Sequence, residues 1–328
     1  MLVLTSLSLG ATAHADALQF KLDGQRIFVL ASGHLASPAP PPPLDPSNPG
    51  PPAEMAPVEV DVLVYYHGLW GYYSSRGFTN AIETTNLSEV VAGSDRPLVA
   101  ILPEAKPGDA DRNRAWQRVV TKAGGFERLV DSTLASLRAE HGLPELVVRD
   151  IAVAAHSGGG AMVGPSVAER GGRYHKHIRE VTLLDAGYRY RRSVTQLKRW
   201  LLVGSGQRVL RILHGGSASA AYAVAYFSRN NQPARFPKGL RHYRGITAEA
   251  RAEQLVLTAE ALADFTLEGL SFDVLELTRG VHQTGATATW GSVQGKGHYA
   301  IRDAALGATA RSAAEPGVSW PLIPPPVD

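Results

Sequence analysis

Short β-rich runs separated by segments with helical spacing constrain this chain most. Val60 to Tyr66 (VDVLVYY) is a buried-strand run that ends at His67-Gly68. Leu98 to Leu102, closed by Pro103, Ile151 to Ala155, Val181 to Leu184 and Val209 to Leu213 are further apolar runs of strand length. Between them, Phe126 to Glu140 carries apolar residues at the helical period, and Ala161 to Glu169 is expected to begin another helix. Glu249 to Asp264 is predicted to be helical, and Phe272 to Leu277 a last strand. Strands alternating with helices predict an α/β fold, a mostly parallel sheet flanked by helices on both faces. Ahead of this series, two alternating runs, Leu18–Leu22 and Arg26–Leu30, flank Asp23-Gly24 and predict an N-terminal β-hairpin.

Composition narrows the classes further. With 44% hydrophobic residues over 328, the chain can bury a sizeable core. A net charge of +3 gives no argument for a nucleic-acid partner. The absence of cysteine excludes disulfides, thiolate metal sites and a cysteine nucleophile. No cofactor is called for. His175-Lys176-His177 has metal-like spacing, but no third ligand accompanies it. The basic residues between Arg170 and Arg199 read as a solvated face, with the alternative that some rim a cleft.

The ends and the linker set the domain plan. Residues 1–15 pair an uncharged apolar run with Ala13-His14-Ala15, the small-x-small pattern of a secretory signal peptide, so export to the periplasm or medium is expected. The n-region lacks its usual Lys or Arg. No other segment is long and apolar enough for a transmembrane anchor. One catalytic-type domain is expected over residues 16–311. It contains a loop at 38–57, where 10 of 20 positions are proline, and is followed by a Pro-rich tail at 312–328. Residues 189–250 leave room for a small lid.

The chemistry is concentrated in Asp150 to Gly160, where a buried strand runs into Ala155-His156-Ser157-Gly158-Gly159 and then a helical segment. This resembles the nucleophile elbow of the α/β-hydrolase superfamily, G-x-S-x-G, with Ala155 in place of the first glycine. Residues two positions from the serine must be small because the turn brings backbone close to backbone. The order Ser…Asp/Glu…His, usual in the superfamily, is also present. The resemblance covers roughly residues 58–305 and identifies no subfamily.

It implies Ser157 as nucleophile and His298, in Gly297-His298-Tyr299, as the base, with His282 and His214 as competitors. Asp185, at the end of the strand after the nucleophile strand, is the implied acid, ahead of Asp264, Asp273 and Glu276. Leu69 (or Trp70) and Gly158 are the implied oxyanion donors. Trp70, Tyr72 and His156 are candidate substrate contacts; Trp70, Tyr72 and Tyr73 read equally well as core aromatics. The implied activity is an exported serine hydrolase that cleaves a carboxylic ester of a small-molecule or envelope-derived substrate. The alternatives are a serine peptidase or amidase acting on cell-wall or other peptides, and a non-catalytic binding protein on the same fold.

Overall fold

The computed structural model describes residues 15–36, 55–67, 86–104, 112–168, 172–184, 186, 196–197, 199–200, 208–213, 254–258, 306–307, 309–311 and 313. Its strands are β1 (Asp16–Leu22), β2 (Gln25–Ala31), β3 (Val58–Tyr66), β4 (Leu98–Glu104), β5 (Leu146–His156), β6 (Ile178–Leu184), β7 (Val209–Leu213) and β8 (Gln254–Thr258). The helices are α1 (Gly33–Ala36), α2 (Leu87–Ala92), α3 (Arg112–Thr121), α4 (Gly125–His141) and α5 (Gly160–Ala168). None of the described helices is long and apolar enough to cross a membrane.

The described strands form one sheet in the order β1-β2-β4-β3-β5-β6-β7-β8. The centre, from β4 through β3, β5 and β6 to β7, is parallel throughout. β1 pairs antiparallel with β2, and β2 with β4. The β1–β2 turn is Asp23-Gly24, and φ is positive at both residues (49° and 76°), as a two-residue I′ hairpin turn requires.

Period-two alternation explains why both faces of the central strands are apolar. In β3, Val60, Val62, Val64 and Tyr66 face one layer, which holds Trp116 and Val119 of α3, Phe126, Leu129 and Val130 of α4, and Met162, Val163 and Val167 of α5. Leu63 and Tyr65 face the other, with Leu87 and Val91 of α2 and the C-terminal helical residues Leu306, Ala310 and Ala313.

Several sequence expectations change here. Residues 254–258, expected inside a helix, form β8, antiparallel to β7. The segment Gln254-Leu255-Val256-Leu257-Thr258 pairs along the whole of β7, and the ladder overrides the helix expected over Glu249 to Asp264. Pro103 does not close β4 but lies within it. The β3 ladder stops at Ile101, so Pro103 is paired only with Ile27 of β2. The Pro-rich segment up to residue 54, most of 189–250 and the strand expected at 272–277 lie outside the described residues.

One charged pair is built into the sheet. A bulge between β3 and β5 sets Arg149 and Asp150 opposite the single residue Asp61. Arg149 Nε donates to Asp61 Oδ1 (2.9 Å), and a second guanidinium nitrogen donates to Oδ2. The Asp61 side chain is fully buried. Burial pushes its pKa above the ordinary carboxylate value, and the Arg149 hydrogen bond and charge pull against that rise.

Candidate active site

β5 is the central strand of the parallel region, held between β3 and β6, and Ala155 pairs with Tyr66 on one side and Leu183 on the other. His156 ends it with extended backbone, φ −112° and ψ 138°. The chain then turns through a 3₁₀ turn at Ser157–Gly159 directly into α5. Ser157 has φ +52°, one of two described non-glycine residues with positive φ. A side-chain-bearing residue in the left-handed region costs about 1–2 kcal/mol and persists only where the surroundings over-determine it.

Those surroundings are visible at Gly159. A Cβ built there would fall on the Tyr66 carbonyl oxygen, 2.6 Å from the Tyr66 carbonyl carbon and 2.8 Å from the His67 carbonyl oxygen. The elbow therefore presses against the exit of β3 with no room for a side chain. This explains glycine two positions after the serine, and it places the end of β3 beside Ser157. Ser157, Gly158 and His156 are all buried.

α5 continues the elbow for nine residues despite Pro165 in its interior. Its N-terminal dipole favours negative charge beside Ser157. Tyr66 OH lies 2.8 Å from Ser166 Oγ on this helix, and Ser166 Oγ donates to the Met162 carbonyl (2.9 Å). Burial raises the Tyr66 pKa above the ordinary phenol value, so its hydroxyl stays protonated. Nothing in the sequence marks this pair. Ser166 reads as an ordinary helix residue and Tyr66 as one more strand aromatic.

β6 ends at Leu184, level with His156, and Ala186 beyond it is buried. Asp185, His298, Leu69, Trp70 and Tyr72 lie outside the described residues, as do Tyr73, His214, His282, Asp264, Asp273 and Glu276. The structure thus brings His156, Ser157 and Gly158 together with the β3 exit at His67.

The weaker candidates have structural partners. His177 Nδ1 donates to the Arg149 carbonyl (2.8 Å), and His175 accepts through its backbone carbonyl from Arg208 (3.1 Å). Among the described residues no group of three or more His, Cys, Asp or Glu could hold a metal. Arg173 pairs with Asp131, and Arg179 with Asp150 (3.0 Å). Arg179 is the second residue of β6 and so lies at the sheet edge opposite Ser157. Arg179 is therefore not part of any cleft at the elbow.

Strand order, the antiparallel β2 and the positive-φ serine between β5 and α5 define the α/β-hydrolase fold. No protein-family model and no curated protein sequence matches the chain. Among solved structures it is similar to an acetyl xylan esterase from Paenibacillus sp. R4, with 14% identity over 60% of this chain and 57% of that one and a TM-score of 0.31. The rice cell wall degrading esterase LipA from Xanthomonas oryzae shows 12% identity over 58% and 47%, with a TM-score of 0.33. The siderophore hydrolase EstB from Aspergillus nidulans shows 13% identity over 85% and 87%, with a TM-score of 0.32. The chain spans about half the length of the first two. At these scores the fold assignment rests on the strand order and the elbow.

Proposed function

We propose that this chain is a serine hydrolase that cleaves a carboxylic ester through an acyl-enzyme. The observation that carries the reading is Ser157 at φ +52° on the strand–turn–helix elbow. A serine bears the cost of that conformation where the turn must present its hydroxyl.

In this reading Ser157 Oγ attacks the ester carbonyl carbon while His298 Nε2 takes its proton. The carbonyl oxygen becomes an oxyanion, stabilised by the Gly158 N–H, a second N–H at Leu69 and the N-terminal end of α5. Collapse breaks the C–O bond, and His298 returns the proton to the departing alcohol. Water, activated by His298, then cleaves the acyl-Ser157 ester and releases the acid. Asp185 holds His298 in the required tautomer and stabilises the imidazolium. No step calls for a cofactor.

Export belongs to the same proposal. Ala13-His14-Ala15 supports cleavage after Ala15, which makes Asp16, the first residue of β1, the new N-terminus. N-terminal sequencing of protein recovered outside the cytoplasm tests it; an N-terminus at Met1 overturns it. The hydrolase reading is tested with a fluorophosphonate probe and a panel of p-nitrophenyl esters. Wild type should be labelled and turn over, and Ser157→Ala should do neither. An unlabelled, inactive wild type overturns it.

A further inference from the structure

We propose that Tyr66 and Ser166 are positioning residues that fix the distance between the exit of β3 and the Ser157 elbow. The hydrogen atoms give the contact a direction. The Met162 carbonyl can only accept, so the single Ser166 hydroxyl hydrogen is committed to it. Ser166 Oγ must then accept from Tyr66 OH, which remains a donor because burial keeps the phenol protonated. A one-way chain results, from the Tyr66 hydroxyl to Ser166 Oγ to the helix backbone. Both side chains are buried, and the bond spans 100 residues of sequence.

This bond joins β3 to the elbow segment at a second place, beside the apolar packing of Met162, Val163 and Val167 in the layer that β3 faces. The first is Gly159, whose α-carbon lies against the Tyr66 and His67 carbonyls. Ser166 lies seven positions further on, two helical turns or roughly 10 Å along the axis. Apolar packing holds α5 in its layer without a fixed direction; the two contacts, both to Tyr66, add the directional constraints that set its angle to β3.

The consequence rests on the serine-hydrolase reading. One oxyanion donor is expected from the chain that follows β3 and the other from Gly158 beside the elbow, and both must converge on one oxygen. An error in the angle between β3 and α5 separates them, and this affects a charge that exists only in the transition state. Loss of the bond should therefore lower kcat and leave KM nearly unchanged.

Tyr66→Phe removes the donor and leaves Ser166 bonded to Met162. Ser166→Ala leaves a buried phenol with no acceptor. The double variant removes both groups, so its Tm should lie above that of Ser166→Ala. Hydrogen exchange of the intact chain reports the clamp without any activity. Peptides covering 62–67 and 157–163 should lose protection together in Tyr66→Phe, while peptides from β1 and β2 do not change. With an active wild type, kcat should fall about tenfold and KM stay within about twofold.

Unchanged exchange in both single variants overturns the clamp, whatever the activity. Changed exchange with wild-type kcat overturns the catalytic consequence and leaves a structural bond. An inactive, unlabelled wild type defeats the hydrolase reading and with it that consequence, while the exchange result still decides the clamp.

Discussion

Gly159 lies so close to Tyr66 that a Cβ on the glycine would stand 2.6 Å from the Tyr66 carbonyl carbon. The neighbour is backbone of a central strand, which cannot swing aside as a side-chain tip can. Gly159→Ala must therefore push the elbow away from β3. We expect a loss of about 1–3 kcal/mol in stability and a loss of turnover beyond about a hundredfold. Gly33→Ala is the control, since its nearest neighbour, the Ala92 carbonyl oxygen, is at an ordinary 3.8 Å; it should stay within about 0.5 kcal/mol of wild type. Thermal melts and ester turnover of the two variants check this. Equal behaviour would show that the elbow is not pinned.

The positive φ of Ser157 predicts a trade between stability and activity. Ser157→Ala keeps a Cβ in the left-handed region and keeps its cost. Ser157→Gly relieves it, so the glycine variant should be more stable than the alanine variant by about 1 kcal/mol. Both should be inactive and unlabelled. Paired denaturant melts measure the difference, and a glycine variant no more stable than alanine would mean that the turn stores no such strain.

The Arg149–Asp61 pair predicts a pH-dependent defect. Arg149→Met removes the hydrogen bond and charge that oppose the rise of the Asp61 pKa, so that pKa climbs further. The folded state then binds a proton more tightly than the unfolded state. The variant's deficit is accordingly largest at neutral and higher pH, about 3 kcal/mol, and shrinks as pH falls through the raised pKa. Adding Asp61→Asn should restore most of the loss at pH 7. A deficit independent of pH would show that Arg149 contributes packing alone.

The legible parts of the chain were those with a short-range physical signature. Val60–Tyr66, Ile151–Ala155 and Val181–Leu184 are apolar on both strand faces because the central strands are covered on both, and all three fall within strands. The small residues around Ser157 pointed to a tight turn, and the structure has one. What escaped depends on partners distant in sequence. α3 has few apolar residues, Trp116, Val119 and Val120 among them, and owes its position to packing against α4 and α5. Leu255-Val256-Leu257 is a short continuous apolar run that suits a buried helix segment as well as a strand, and β7 decides. Tyr66 and Ser166 are 100 positions apart and individually ordinary. The acid and base, proposed at Asp185 and His298, lie outside the described residues, and their assignment stands on the resemblance to the superfamily and its Ser…Asp/Glu…His order.

That assignment makes the final prediction. β6 ends at Leu184 in register with His156, so the chain position after it, Asp185, directly follows the strand neighbouring the elbow strand. In the reading above, its carboxylate accepts from His298 Nδ1–H while His298 Nε2 faces Ser157 Oγ. Asp185→Asn nearly preserves shape but removes the charge that stabilises the imidazolium and selects its tautomer. The same change in a serine protease costs about four orders of magnitude in turnover. Here kcat should fall by at least about a hundredfold, and fluorophosphonate labelling should slow in parallel, because the serine loses its base. His298→Ala should abolish both, whereas His282→Ala and His214→Ala should leave them within a few-fold of wild type. An Asp185→Asn protein with near wild-type turnover would move the acid elsewhere, with Asp273 and Asp264 the next carboxylates to replace.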